Sequence, residues 1–95
     1  DPPVPPDRLV LQVPAQALLE GDTMRLRCRA RTDTSVSRVQ FYHEWKKVGE
    51  SLKGTELSLS PLQLHHSGRY HCEGLVGSWT SSWWEKSALV TVTVH

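Results

Sequence analysis

The segment that most constrains this chain is residues 65–72, which read His-His-Ser-Gly-Arg-Tyr-His-Cys. Tyr70 lies two residues before Cys72, and Gly68 lies two residues before that tyrosine. In one two-sheet all-β architecture, such a tyrosine follows a corner of the chain and donates a hydrogen bond back to its backbone. Gly68 supplies the backbone freedom that the corner requires. The segment therefore predicts a β-sandwich with a tyrosine corner at Tyr70.

Cys28 and Cys72 are the two cysteines of this 95-residue chain, and their spacing suits a bridge between two sheets. If bridged, they close a loop of about 45 residues, which stabilises the fold by ~4 kcal/mol through the entropy of the unfolded chain. The chain length is close to the ~100 residues of a seven-stranded sandwich. We predict one all-β, immunoglobulin-like sandwich in an oxidising compartment. A reduced cysteine pair in a cytosolic protein is the alternative.

The first residues differ in composition from the rest of the chain. Four of the six prolines fall in residues 1–6, and such a run favours extended polyproline II with too little apolar surface to join a core. We predict a semi-rigid interdomain linker over residues 1–7 and the sandwich domain over residues 8–95. A ligand for SH3-type modules is the alternative for the linker, and an extracellular location disfavours it.

The clearest alternation of apolar and polar residues lies in residues 24–29. A strand with this pattern places two sets of side chains on opposite faces: Met24, Leu26 and Cys28 against Arg25, Arg27 and Arg29. The first face is expected to contact the core. The arginine face, which Arg31 extends into the next loop, is either solvated or a docking surface for an acidic partner.

Two aromatic residues follow this strand. Phe41 lies thirteen residues after Cys28, where an immunoglobulin-like domain usually places a tryptophan against its disulfide. We therefore expect Phe41 to pack in the core. Trp45 is followed by Lys46 and Lys47, which suggests exposure near a turn and makes it a candidate contact residue. Covering a neighbouring strand is its alternative role.

Three of the four tryptophans lie within six residues, at Trp79, Trp83 and Trp84. Loops at the ends of sandwiches often carry recognition residues, and tryptophan is enriched at binding hot spots. We expect Trp83 or Trp84 to open the final strand and close the end of the core. Trp79, which has glycine, serine and threonine around it, is the best candidate for an exposed anchor.

Several classes of function are disfavoured by the sequence. The net charge of +1 lacks the basic footprint of a nucleic-acid-binding protein, and no apolar run is long enough for direct insertion into a membrane. The five histidines show no recognisable metal-ligand spacing, and His71 should point away from Cys72. No phosphate loop, nucleophile elbow or placed carboxylate pair occurs. We expect no enzyme activity, no cofactor and no metal.

The whole domain resembles the second, C2-type domain of the leukocyte Fc receptors and Fc receptor-like proteins. The strongest match combines the His-Ser-Gly of residues 66–68 with the Tyr-His-Cys of residues 70–72, because histidine at His66 replaces the aspartate of most immunoglobulin domains. Other matching segments run nearly end to end: residues 9–12, 20–23, 26–28, 39–42, 72–74 and 90–94.

The resemblance implies binding of the immunoglobulin Fc region by loops at one end of the sandwich. In the classical receptors two tryptophans grip a proline of the Fc, and the matching positions here are Arg8 and Arg31. A guanidinium brings charge and a different geometry, so the resemblance predicts a contact that differs from the classical one. The partner-binding candidates are then Trp79, Trp83, Arg31, Arg8 and Trp45.

The resemblance also implies a location and an alternative role. The location is the lumen of the secretory pathway (endoplasmic reticulum), with residence in B cells, or else the ectodomain of a cell-surface protein. The alternative to Fc binding is a structural spacer that packs its tryptophans and arginines on neighbouring immunoglobulin domains of the same protein.

Overall fold

The computed structural model describes residues 9–30, 35–51, 54–78 and 80–95. This part of the chain forms nine strands and one short 3-10 turn. The strands before the turn are β1 (Leu9–Gln12), β2 (Ala17–Leu18), β3 (Met24–Ala30), β4 (Val36–His43), β5 (Lys46–Ser51) and β6 (Glu56–Leu59). The 3-10 turn (Leu64–His66) is followed by β7 (Gly68–Ser78), β8 (Ser81–Lys86) and β9 (Val90–Val94).

The strands form two sheets. The small sheet has the order β1-β3-β6, and the large sheet has the order β2-β9-β7-β4-β5, with β8 paired to β7. The first two strands of the chain lie in different sheets. β1 pairs with β3 in the small sheet, whereas β2 pairs parallel to β9 in the large sheet. Pro14 lies between the two segments, where its missing N–H ends the pairing. Because β5 pairs with β4, this is the C2-type arrangement predicted from the sequence.

The inter-sheet disulfide predicted for Cys28 and Cys72 is present. Both cysteines are fully buried, and Phe41 is buried beside them, opposite Cys72 in the pairing of β4 with β7. The aromatic residue thirteen positions after Cys28 therefore takes the predicted core position. Val92 and Val94 of β9 complete the same core.

The corner before β7 is held by a hydrogen bond from the Tyr70 hydroxyl to the backbone oxygen of His66. Burial raises the pKa of Tyr70 to about 12, so the hydroxyl keeps its proton as a donor. Gly68 has φ +141°, and a Cβ there would lie 2.6 Å from both Glu44 Oε1 and His43 Nε2. Glycine is therefore favoured at this corner by backbone conformation, and any larger residue would also displace the ends of the Glu44 and His43 side chains.

The alternation predicted for β3 is confirmed. Met24, Leu26 and Cys28 are buried, and the three arginines between and after them are exposed. No ion pair of these arginines occurs in the described part of the chain. The two interpretations of this face, a solvated surface or a docking surface, both stay open.

Candidate functional site

The segment after Cys72 folds as a β-hairpin, although the sequence suggested a loop. β7 and β8 pair antiparallel from Glu73↔Lys86 to Ser78↔Ser81. Gly77 has φ +119°, and a Cβ there would lie 2.4 Å from the backbone oxygen of Ser81. The hairpin therefore needs glycine at this position, where its two strands approach closely.

Trp83 and Trp84 lie on β8 and not on the final strand. The expectation that one of them opens that strand and closes the core is wrong, because they are 39% and 42% exposed. Their positions opposite Val76 and Leu75 put them on opposite faces of the hairpin. In the structure, residues 87–89 separate β8 from β9. The sequence alone did not reveal this break, so the tryptophans were expected on the final strand.

Of the other predicted contact residues, the structure describes Trp45. Arg8, Arg31 and Trp79 lie outside the described residues. Trp45 is 56% exposed in the turn between β4 and β5, as its lysine-rich setting suggested. The guanidinium of Arg69 lies 4.5 Å from the centre of its ring.

Arg69 also fixes the turn that carries Trp45. Its backbone N–H and its guanidinium both donate to the Glu44 carboxylate, at 2.9 Å and 3.1 Å. The backbone hydrogen bond is the main reason why the pKa of Glu44 lies below its ordinary value. The turn is thereby connected to β7, so Trp45 stands beside the outer face of the large sheet.

That outer face carries a network that the sequence did not indicate. The rings of Tyr42 and His71 stack with centroids 4.8 Å apart and an interplanar angle of 5°. His71 Nε2 lies 3.1 Å from Glu73 Oε2, and the Trp84 indole donates to Glu73 Oε1 at 3.0 Å. The period-two pattern of β7 places His71 and Glu73 on one face, but the partners from β4 and β8 required the sheet pairing.

His71 points away from the core as predicted, yet its face is not solvated. Its side chain is buried, with 6% of its surface exposed, because Tyr42 covers one side of the ring and Glu73 holds its edge. Its Nδ1 is buried and has no hydrogen-bond partner in the part of the chain that the structure describes. A buried polar atom of this kind is uncommon in folded proteins.

The electrostatics of the network favour an ionised Glu73. Its partial burial by itself raises the pKa of the carboxyl group, but hydrogen bonds from Trp84 and His71 outweigh that effect, helped by the nearby charge of Lys86. The net pKa lies below the ordinary value. Burial, with the negative charge of Glu73 as a second cause, raises the pKa of Tyr42.

The network borders a pocket of about 210 Å³. The pocket lies where the strand opposite β7 is interrupted, since β8 pairing ends at Glu73↔Lys86 and β9 pairing begins at Tyr70↔Val90. The lining side chains come from three places: His71 and Glu73 of β7, Tyr42 and Trp45 on the β4 side, and Lys86 and Leu89 around the interruption.

In the described ranges, no group of three or more His, Cys, Asp or Glu side chains has the arrangement of a metal site. None of the described helical segments is long and apolar enough to cross a membrane.

The immunoglobulin domain family matches residues 8–94, and the chain belongs to this family. Its relatives within the family are Fc receptor-like and Fc receptor proteins, as the sequence motifs predicted. Fc receptor-like A of Rattus norvegicus is 38% identical over 89 residues, which cover 94% of this chain and 26% of the relative. Low affinity immunoglobulin gamma Fc region receptor II of Mus musculus is 34% identical over 89 residues, with coverage of 94% and 26%.

The solved structures agree on the fold. The second Ig-C2 domain of human Fc-receptor like A superposes with a TM-score of 0.71 at 23% identity, covering 93% of this chain and 96% of that domain. The chain spans about a quarter of the length of the curated relatives it matches.

Proposed function

We propose that this domain is a non-catalytic immune recognition module that binds the Fc region of immunoglobulin. The observation that carries the proposal is the pair of exposed tryptophans on the β7–β8 hairpin, in a chain similar to immunoglobulin gamma Fc region receptors. A tryptophan offers a large contact area with few rotatable bonds. The intramolecular disulfide supports a location in the secretory pathway lumen or at the cell surface.

The proposed contact lies at the hairpin end of the sandwich. The backbone N–H of Gly77 donates to the oxygen of Ser35, just before β4, so Ser35 lies at the same end. Arg31 belongs to that connection in sequence, and Arg8 immediately precedes Leu9, which pairs with Ala30 at the end of β3. Arg8, Arg31 and Trp79 stay predicted contact residues of this surface.

Trp83 is the residue of this surface for which the structure supports a sharp test. It lies opposite the buried Val76 in the hairpin pairing, and 39% of its surface is exposed. Replacing Trp83 by alanine therefore removes exposed contact area. We expect a loss of at least about 10-fold in affinity for immunoglobulin, the size typical of a hot-spot tryptophan.

The experiment is a binding screen of the folded domain, and of the longer natural protein, against IgG, IgM and IgA by surface plasmon resonance. Leu64→Ala is the matched control, since Leu64 is an exposed apolar residue of the 3-10 turn that precedes β7, whereas the hairpin turn follows the other end of that strand. The control should bind as the wild type does. Absence of binding to every isotype by folded protein, or equal losses for the two variants, refutes the proposal.

A structural spacer is the second candidate function, and one observation favours it. Leu19 and Leu64 are exposed at one end of the sandwich, where Glu20 N–H donates to His95 O and Gly21 N–H donates to Leu62 O. Exposed apolar residues at the end of a domain suit contact with a neighbouring domain. Protection of Leu19 and Leu64 from labelling in the longer protein, without immunoglobulin binding, would favour the spacer.

A further inference from the structure

The arginine face of the small sheet carries a line of positive charge. Arg25, Arg27 and Arg29 are exposed on β3, and each is two residues from the next. Because side chains of a strand alternate between its faces at a rise of about 3.4 Å per residue, the three side chains leave the sheet at intervals of about 7 Å. The face therefore presents three cations in a row.

The neighbouring strands leave most of this charge uncompensated. The residues paired with the three arginines, which share their face, are Val10 and Gln12 of β1 and Glu56 and Ser58 of β6. Glu56, opposite Arg27, is the one carboxylate in this set. In the part of the chain that the structure describes, none of the three guanidinium groups forms an ion pair. Arg69 of the large sheet differs, since its guanidinium is bonded to Glu44.

The position of β3 limits the kind of ligand that this face can take. β3 is the middle strand of the small sheet, with β1 on one side and β6 on the other. Its backbone is therefore engaged in two ladders, and a peptide cannot add to it as a further strand. Recognition must use side chains, and a guanidinium donates up to five hydrogen bonds and accepts none. The matching ligand is an anion with several oxyanion groups in line.

We propose that the arginine face binds a sulfated polysaccharide chain. Such a chain carries sulfate groups along its length, so successive sulfates can pair with successive guanidinium groups. The exposed side chains of Gln12 and Ser58 flank the arginines and can bond sugar hydroxyl groups. The disulfide indicates an oxidising compartment, which is where sulfated polysaccharides are made and displayed. The proposal does not rest on Fc binding by the hairpin, which belongs to the other sheet.

Other anions fit this face less well. An extended acidic peptide has carboxylates at a similar spacing, but here it gains no backbone hydrogen bonds in return for the entropy lost when its chain is ordered. A nucleic acid calls for a broader basic footprint than a chain of net charge +1 provides. A single small anion pairs with only part of the row. A linear polyanion that is read through its side groups matches all three arginines.

The test titrates a size-fractionated heparin oligosaccharide into the folded, 15N-labelled chain at low salt. We expect the backbone amide resonances of β3 to shift, and the affinity to fall as added salt screens the exposed charges. The same oligosaccharide after chemical desulfation, and a poly-glutamate peptide, should each bind at least about 10-fold more weakly. Poly-glutamate binding of equal affinity would assign the face to an acidic peptide and overturn the proposal.

Two variants change the charge of the face in opposite directions. The triple variant Arg25→Gln/Arg27→Gln/Arg29→Gln should weaken heparin binding by about 10-fold or more, the combined size of three exposed charge pairs of ordinary strength. Glu56→Gln removes the carboxylate opposite Arg27 and should strengthen binding several-fold at low salt. All four positions are exposed, so the variants should keep the fold.

Arg38→Gln is the matched control. It makes the same change of charge at an exposed residue of β4, in the large sheet, and it should bind heparin as the wild type does. A loss in Arg38→Gln as large as that of the triple variant would show attraction to the net charge of the chain and refute the assignment. Unchanged affinity in the triple variant would refute it equally.

Discussion

The two faces of β7, which are formed by alternating residues of one strand, differ in how completely their buried side chains are bonded. On the inner face, Tyr70 and Cys72 are fully buried, and each is bonded within the domain, to the His66 backbone and to Cys28. On the outer face, His71 is almost as deeply buried, but one of its ring nitrogens has no partner in the described structure.

The comparison separates residues that maintain the fold from residues that are available for binding. On the inner face, Cys72 forms its disulfide with Cys28, and the Tyr70 hydroxyl forms its hydrogen bond with the His66 backbone. The outer face combines a buried ring nitrogen that has no partner in the described structure with a pocket lined in part by the exposed Trp45. We therefore expect inner-face substitutions to change stability strongly, and outer-face substitutions to change stability less than recognition.

The largest effect is expected from the double variant Cys28→Ala/Cys72→Ala. Removing the disulfide releases a loop of 44 residues in the unfolded state, which should lower the free energy of unfolding by about 4 kcal/mol. Chemical denaturation of the variant and the wild type measures this difference. A loss under about 1 kcal/mol would show that the inner face depends on packing and not on the bridge.

A smaller but clear effect is expected from Tyr70→Phe. The variant keeps the ring that stacks on His43 with centroids 4.5 Å apart, and it removes the hydrogen bond to the His66 backbone. We expect a loss of about 1–2 kcal/mol, because the His66 carbonyl loses a buried donor. Urea denaturation provides the measurement.

Tyr42→Phe is the matched control on the outer face of the same sheet. Its hydroxyl bonds a side chain, Gln40, that water can also reach, so its loss should cost about 0.5 kcal/mol or less. Equal destabilisation by the two variants would contradict the distinction between the faces.

A modest effect on stability is expected from Glu73→Gln, and it should depend on pH. The pKa of Glu73 in the folded protein lies below its ordinary value of 4.5. The ionised carboxylate therefore stabilises the fold above that value, and this contribution is lost as the pH falls through the folded pKa. The variant should be less stable than the wild type at pH 7 by about 0.5–1 kcal/mol.

The difference between the two proteins should shrink as the pH falls through the folded pKa of Glu73, because the wild-type carboxyl group then also becomes protonated. Denaturation curves over a pH series from 7 downward measure it, with Glu56→Gln, an exposed carboxylate on the small sheet, as the control. A difference that does not change with pH would show that Glu73 acts through packing alone.

Much of the inner face could be predicted from sequence because its signals are local. The alternation at Met24–Ala30, the spacing of Tyr70 before Cys72 and the position of Phe41 each follow from the period of a strand or the length of a corner. The corresponding residues are buried where predicted. Such patterns depend on neighbours within a few residues along the chain.

The outer face could not be predicted in the same way. His71, Glu73 and Tyr42 carry no motif, and they meet because β4 and β7 pair in a particular register. The tryptophan segment was misassigned for a related reason. Composition indicated that Trp83 and Trp84 matter, but only the structure shows that they lie on the separate strand β8, where both are exposed.

The sequence by itself determined the sandwich, its disulfide and its resemblance to the Fc receptors, because cysteine spacing, strand alternation and the Tyr70 corner are properties of contiguous chain. The tertiary structure alone decided which polar atoms meet across strands. Partners on different strands, such as Tyr42 with His71 and Glu73 with Trp84, meet because of the sheet register, which one strand's sequence does not encode. The unpaired nitrogen of His71 and the pocket beside it are results of that register.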